Sequence, residues 1–140
     1  MTAMYIKRLD EMMGVPAQYD AQVAGNLFGA LMESVTKTWE FHLLTESYAE
    51  HDALNTYYHD IIGHTDDLIE HYIASHGKEG LAFGNVQLDT TSAVSYLESL
   101  KCVVCQYRDG LFADDSVAVS DIDDILGLIE STLYKLTNLS

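Results

Sequence analysis

Apolar residues recur at steps of three and four along four stretches of the chain, the spacing typical of a helix with one buried face. The first stretch covers about residues 17–44, and its seam is Ala24, Leu27, Leu31, Val35, Thr38 and His42. The second covers about 48–76, with its seam at His51, Leu54, Tyr58, Ile61 and Ile62, Thr65, Leu68 and Ile69, and Tyr72. The third, about 92–109, turns inward Ala93, Leu97, Leu100, Val104 and Tyr107. The fourth, about 120–138, turns inward Ile122, Ile125 and Leu126, Ile129, Leu133 and Leu136.

Local signals mark where these helices begin and end. Ser47 followed by Glu50 predicts a capping box, in which the serine oxygen accepts from the Glu50 amide and the Glu50 side chain reaches back to the Ser47 amide. Gly77 ends the second predicted helix and Gly110 ends the third. Residues 77–91 contain three glycines and no period, which indicates a loop long enough to cross the end or side of a bundle.

The pattern predicts an all-α protein with a four-helix bundle in a single domain covering residues 1–140, preceded by a short amphipathic segment at 1–14. The connection between the first two helices is only about 45–47, which favours antiparallel neighbours. A single long connection, here between the second and third helices, is typical of the ferritin-like bundle.

Charge narrows the expected partners. The chain has 140 residues, 48% of them hydrophobic, and a formal net charge of −15, so it repels phosphate backbones and we expect no nucleic-acid binding. No stretch reaches the ~20 apolar residues of a membrane span, and the N-terminus lacks a signal-peptide pattern. We therefore expect a cytoplasmic protein.

Cys102 and Cys105 lie within a helical pattern and are expected to be buried or half-buried thiols.

All six histidines lie between residues 41 and 76, so this stretch is the candidate for chemistry. An internal di-iron site needs Glu-x-x-His on two helices, and no glutamate of the chain has a histidine three residues later. His51, Asp66 and Glu70 are nonetheless ligand types that suit iron. Asp66 and Glu70 are four residues apart and share one helix face, whereas His51 lies 15 residues before Asp66, roughly 22 Å along the helix.

A two-fold dimer would close such a site. If the second helix met its own copy antiparallel near residues 58–60, His51 of one chain would approach Asp66 and Glu70 of the other. His42, at the end of the first helix, could supply a second imidazole across the short turn. The predicted metal ligands are therefore His42, His51, Asp66 and Glu70.

The sequence from His42 to His51, followed by Asp66-x-x-x-Glu70, resembles the Dps branch of the ferritin superfamily, most closely its small bacteriophage-encoded members. The resemblance implies an intersubunit ferroxidase site that binds Fe²⁺ and oxidises it with peroxide or oxygen. It also implies a dodecameric shell that stores the ferric product, in a bacterial or phage-infected cell. The chain departs from the pattern at Asn55, where Dps proteins have an aspartate, and at Leu43, where they have a tryptophan.

Three functions follow as hypotheses. The first is ferritin-like iron binding, oxidation and storage, with Zn²⁺ or Mn²⁺ able to occupy the same donor set. The second is a non-catalytic helical-bundle structural or interaction protein with a degenerate metal site. The third is a small regulatory protein that binds a partner through its acidic face.

Overall fold

The computed structural model describes residues 18–139, and the regular secondary structure in that range is entirely α-helical. We number the helices in chain order: α1 spans Gln18–Leu44, α2 spans Tyr48–His76, α3 spans Ala93–Asp109 and α4 spans Ser116–Asn138. The predicted all-α class is confirmed for these residues. The predicted N-terminal amphipathic segment, 1–14, lies outside them.

The four helices form a closed ring of neighbours, in which α1 packs on α2, α2 on α4, α4 on α3 and α3 on α1. The turn between α1 and α2 is as short as predicted, and it makes the two helices antiparallel. Contacts at increasing distance from the turn agree with this direction, since His42 stacks on His51 and Ser34 bonds to Tyr57. Further along, Phe28 meets Tyr72 edge-on. The fold is therefore a four-helix bundle with one long connection, between α2 and α3.

The core is the set of apolar side chains that the four helices turn toward one another. Its fully buried members include Leu27, Phe28, Leu31, Leu54, Ile61, Leu68, Leu97, Leu100, Val104, Ile122, Ile125 and Ile129. Each such side chain contributes about 1.5–3 kcal/mol by leaving water. The predicted seams supply most of these residues, so periodicity located the core correctly.

The predicted seam of α2 is wrong along one edge. Tyr57 rather than Tyr58 is fully buried, Ile62 is 54% exposed, and His51 is exposed rather than seated in the core. The reason is that α2 packs on both α1 and α4. Its buried face is centred between these two neighbours, and His51, Tyr58 and Ile62 fall on its rim.

Most helix ends lie where local signals predicted them. Ser47 caps α2 by accepting from the Glu50 amide at 3.2 Å, and Ser92 caps α3 by accepting from the Ser95 amide at 3.0 Å. Gly77 ends α2 with φ of 78°, a conformation that glycine adopts without a Cβ clash. Gly110 follows the last residue of α3 as predicted.

The predicted start of α4 is wrong by four residues. The helix begins at Ser116, because the Asp115 side chain accepts from the Ala118 amide at 3.1 Å. Aspartate is among the best N-cap residues, as good as serine. Ala118 consequently joins the core as an additional buried residue of α4.

The connection 77–92 lies against α1, backbone to backbone. The Gly84 amide donates to the Gly25 carbonyl at 3.1 Å. A Cβ at Gly25 would overlap the Ala82 carbonyl oxygen, and one at Gly29 would overlap the Gly84 carbonyl oxygen. Two glycines one turn apart on α1 thus make the space in which the connection crosses the bundle.

Candidate functional site

His42 and His51 form a stacked pair across the turn between α1 and α2. Their ring centroids are 3.6 Å apart and the ring planes are inclined by 22°. The His42 ring bonds through Nδ1 to the His51 backbone carbonyl at 2.6 Å, and the His51 ring bonds through Nδ1 to the His42 carbonyl at 3.0 Å. The two residues therefore fix each other's orientation through backbone as well as side chain.

These bonds determine the state of each ring. A carbonyl oxygen only accepts, so Nδ1 must carry the proton in both residues. In the neutral imidazole the remaining nitrogen, Nε2, then keeps its lone pair. Metal-ligating histidines are commonly held in this way, with one ring N–H donated to a carbonyl and the other nitrogen on the metal. The pair thus offers two oriented imidazole nitrogens.

The short turn places the pair by a sequence of local hydrogen bonds. The Thr45 amide donates to the Phe41 carbonyl at 3.0 Å, and the Ser47 amide donates to the Thr45 hydroxyl at 3.1 Å. The Ser47 amide was predicted to donate to the Glu50 side chain, but it donates to the Thr45 hydroxyl instead. Threonine readily accepts such a bond from the amide two residues later. The capping box is present only in its serine half.

Aromatic rings surround the histidine pair. Tyr58 meets the His42 ring edge-on at 5.3 Å, and Trp39 stacks on Tyr58 at 5.8 Å. Tyr48 lies 6.4 Å from the His51 ring and is 80% exposed. Trp39 is 50% exposed, so this aromatic group reaches the surface.

A line of polar groups leads from the middle of the bundle to His42. The Tyr57 hydroxyl and the Ser34 hydroxyl are 2.8 Å apart, and Thr38 donates to the Ser34 carbonyl at 2.7 Å. All three are buried, and burial raises the pKa of Tyr57 well above its ordinary value. Sequence reasoning missed the Ser34–Tyr57 contact. The available signal was the run Ser34, Thr38 and His42 at four-residue steps on the inner face of α1.

Asp66 and Glu70 are exposed on α2, in its second half. A hydrogen bond in which the Glu70 carboxyl donates to the Asp66 carboxylate, together with the charge of Asp66, raises the pKa of Glu70 above its ordinary value. His71, the next residue, bonds through Nδ1 to Asp121 of α4 at 2.6 Å.

The structure brings the four predicted ligands together as two pairs and not as one group. His42 and His51 meet at the α1–α2 turn, while Asp66 and Glu70 meet about 22 Å further along α2. Within residues 18–139 of one chain, no group of three or more histidine, cysteine or acidic side chains lies close enough to hold a metal ion.

A concave surface lies between the two pairs, on the outward side of α1 and α2. It is a groove of about 310 Å³ lined by Met32, Val35, Thr36, Ile62, Thr65, Asp66 and Ile69. Thr65 is buried, and its hydroxyl has no hydrogen-bond partner within the described part of the chain. One of the predicted ligands, Asp66, therefore lines a mainly apolar groove.

A second cavity of about 390 Å³ lies at the far end of α2. Tyr72, His76 and Phe112 line it together with several acidic residues, and none of the four predicted ligands does so. It is a feature of the bundle end, separate from the histidine pair.

In the part of the chain that the structure describes, no helix is both long enough and apolar enough to cross a membrane.

Comparison with known proteins gives one family and no described function. Neither a curated protein nor a solved structure matches the chain. Residues 42–136 match a family described as a family of unknown function (DUF5856). The matched region is more than half of the chain, and it begins at His42 and contains α2, α3 and most of α4. The chain therefore belongs to the DUF5856 family.

Proposed function

We propose that this protein binds Fe²⁺ and oxidises it at a site shared by two two-fold-related copies, and that the assembled protein stores the ferric product. One observation carries the proposal. The reciprocal hydrogen bonds of His42 and His51 use Nδ1 in both rings, and they leave the two Nε2 lone pairs oriented and available to a metal ion. Imidazole nitrogens from one copy and the Asp66 and Glu70 carboxylates of the other would complete the donor set.

The carboxylate pair supplies the charge that such a site needs. The hydrogen bond to Asp66 and then the charge of Asp66 raise the pKa of Glu70, and two neighbouring carboxylates repel each other when both are ionised. A bound divalent cation removes that repulsion. Hard carboxylate oxygens combined with imidazole nitrogens suit Fe²⁺, and they also suit Mn²⁺ and Zn²⁺.

The outward face of α1 and α2 has the character of a dimer interface. It exposes large apolar side chains from both helices, namely Met32, Trp39, Leu43, Tyr48 and Ile62. It also contains the groove beside Asp66 with the unpartnered Thr65 hydroxyl. If α2 crosses its copy antiparallel near residues 58–60, this face of each copy is buried against the same face of the other. Each histidine pair then approaches the other copy's carboxylates.

The ring order of the helices supports the same proposal. A bundle in which α1 neighbours α2 and α3, with the long connection after α2, has the arrangement expected of a ferritin-like domain. We propose on this basis that the dimer is the building block of a closed shell of the Dps type, a dodecamer.

Iron is the substrate in this chemistry. Two Fe²⁺ ions each give one electron to a peroxide molecule, whose O–O bond breaks to leave two hydroxide ions and two Fe³⁺. The protein's part is to hold the ions in place and to balance their growing charge. Asp66 and Glu70 do the second, since fixed negative charge stabilises Fe³⁺ more than Fe²⁺.

An anaerobic Fe²⁺ titration followed by peroxide tests the proposal, with ferric absorbance read in the near ultraviolet. We expect saturation at roughly one or two Fe²⁺ per chain and rapid oxidation. The double variant Asp66→Asn with Glu70→Gln should lose the fast oxidation and keep its helix content. Asp67→Asn is the matched control, because Asp67 is an exposed neighbour outside the proposed donor set. Unchanged oxidation in the double variant would refute the site.

Light scattering on a size-exclusion column tests the assembly separately. Ile62→Lys places a charge in the proposed interface and should give monomers. Val117→Lys, at an equally exposed apolar residue of α4, should leave the assembly intact. If the wild-type chain is itself monomeric, a site that needs two copies is excluded.

A second candidate function is a non-catalytic helical bundle that assembles or binds a partner without handling iron. Asn55 favours it, because its side-chain oxygen accepts from the Tyr58 hydroxyl at 2.9 Å where Dps proteins have an aspartate. This candidate expects normal assembly with no stoichiometric Fe²⁺, and no effect of the carboxylate variants on anything but charge.

A further inference from the structure

Two free thiols lie on the side of α3 that borders α4. Cys102 is exposed and Cys105 is half-buried, so the expectation of buried or half-buried thiols is wrong for Cys102. Residues three apart on a helix are side-chain neighbours, with Cβ atoms about 5–6 Å apart. The two sulfurs therefore share one face of α3.

Both cysteines line one groove. It has a volume of about 380 Å³ and is bounded by Glu98, Lys101, Cys102, Cys105, Leu133 and Thr137. None of the four predicted iron ligands borders it. Lys101 also pairs with Glu130 of α4 at 3.3 Å, which places a positive charge at the edge of the groove.

The two thiols have different neighbours. The Gln106 amide donates to the Cys102 sulfur at 3.7 Å. Burial raises the pKa of the Cys105 thiol, an effect that the charge of Lys101 only partly opposes. A metal ion that binds the two sulfurs displaces any thiol proton that they carry.

The spacing of the two cysteines distinguishes a disulfide from a metal bridge. A disulfide needs Cβ atoms about 3.5–4.5 Å apart, closer than an undistorted helix places residues i and i+3. Two metal–sulfur bonds of about 2.3 Å each bridge sulfurs up to roughly 4.6 Å apart, and this requires no change in the helix. The intact α3 therefore suits a metal bridge better than a disulfide.

We propose that Cys102 and Cys105 form a two-thiolate site for the soft monovalent cation Cu(I). Thiolates suit Cu(I), Zn²⁺ and iron–sulfur clusters, and structural zinc and iron–sulfur clusters take four protein ligands where this site offers two. Two S–Cu bonds form and two S–H bonds break, with both protons released to solvent. The bound unit carries one net negative charge and lies beside Lys101, which also pairs with Glu130. The copper site is independent of the proposed iron chemistry in its residues and in its helix.

Competition with bicinchoninate, a coloured Cu(I) chelator, tests the site on the reduced full chain under anaerobic conditions. We expect the wild-type chain to withdraw one Cu(I) equivalent from the chelator. Cys102→Ser and Cys105→Ser should each abolish that withdrawal, with helix content unchanged by circular dichroism. Met32→Leu is the matched control: it removes an exposed sulfur on a different face, and Cu(I) withdrawal should persist.

Copper-edge X-ray absorption on the loaded protein gives a second readout, with two sulfur neighbours expected. Three results would overturn the proposal: no withdrawal by the wild-type chain, full withdrawal by either single cysteine variant, or a copper shell of nitrogen and oxygen alone. If serine disturbs the helix, Cys102→Ala and Cys105→Ala give the same comparison.

Discussion

Two of the predicted ligands lie beside the start of α2 and two lie in its second half, and the two pairs differ in how they are held. At the first turn, His51 is tied to His42 of α1 by two side-chain-to-backbone hydrogen bonds and a ring stack. In the second half, Asp66 and Glu70 are exposed neighbours, and Asp66 raises the pKa of Glu70. One pair is fixed by a neighbouring helix, and the other projects from a single helix.

The difference shows which half of the proposed site one chain completes by itself. The imidazoles have their proton positions and orientations set within the chain, so they need no partner to be ready. The carboxylates repel each other and gain from a cation or a proton. In a site that uses both pairs, one copy therefore supplies the oriented imidazoles and the other supplies the negative charge of the carboxylates.

The largest effect on this comparison is expected from His42→Ala. The side chain is only 7% exposed, contacts His51 and Tyr58, and bonds to the His51 carbonyl. Its loss leaves a cavity and removes the hydrogen bond to the His51 carbonyl, so the free energy of unfolding should fall by about 3 kcal/mol. Urea unfolding measures it. Leu43→Ala, at a neighbour that is 65% exposed, should change stability little, and equal losses would contradict the packing of His42.

His51→Ala should cost less, about 1 kcal/mol, because the ring is exposed and chiefly loses one hydrogen bond and one stacking contact. His59→Ala is the matched control. His59 is also an exposed histidine of α2, but its bond, to the Asn55 carbonyl at 2.8 Å, stays within the helix. The interpretation fails if the two variants lose the same amount.

Ser47→Ala should cost about 1 kcal/mol, the usual value of an N-cap. Glu50→Ala should stay within about 0.5 kcal/mol, because the Ser47 amide already donates to Thr45. Thermal unfolding of both variants decides between a serine cap and a full capping box. A similar loss of stability in the two variants would indicate that the Glu50 side chain does bond to the Ser47 amide, as the sequence predicted.

The smallest effect concerns pH. The pKa of Glu70 is raised in the folded protein, so the stability linked to its proton is present below the ordinary glutamate pKa and is lost as pH rises through the raised value. Asp66→Asn should remove this decline. Asp67→Asn should weaken it only slightly, since Asp67 is a lesser cause of the shift. Urea unfolding at several pH values measures the slope, and an unchanged slope in Asp66→Asn would assign the decline to another group.

Much of the fold could be predicted because its signals are local. Ser47, Gly77 and Ser92 act within one helical turn, and the structure places helix ends at all three. Asp115 shows where local reasoning fails, because it caps α4 four residues before the start that periodicity predicted. Cap preference is nearly equal for aspartate and serine, so residue type alone does not decide between two polar starts.

The sequence predicted which candidate ligands lie near each other, but not the contacts around them. Spacing along one helix brings Asp66 and Glu70 together, and the turn length brings His42 near His51. The ring stack, the Tyr57–Ser34 bond and the exposure of Trp39 depend on how α1 and α2 are rotated about their axes. That rotation is set by neighbours distant in sequence, which periodicity does not encode.

The sequence by itself determined the helical class, three of the four helix starts, and most of the residues that fill the core. These follow from hydrogen bonds and periodicity that act over a few residues. Only the tertiary structure decided which rim of α2 is exposed and how the long connection crosses α1 over Gly25 and Gly29. It alone fixed the protons on His42 and His51, because each bonds to a carbonyl nine residues away. Such contacts depend on the relative placement of whole helices, and that placement is settled only when all four pack at once.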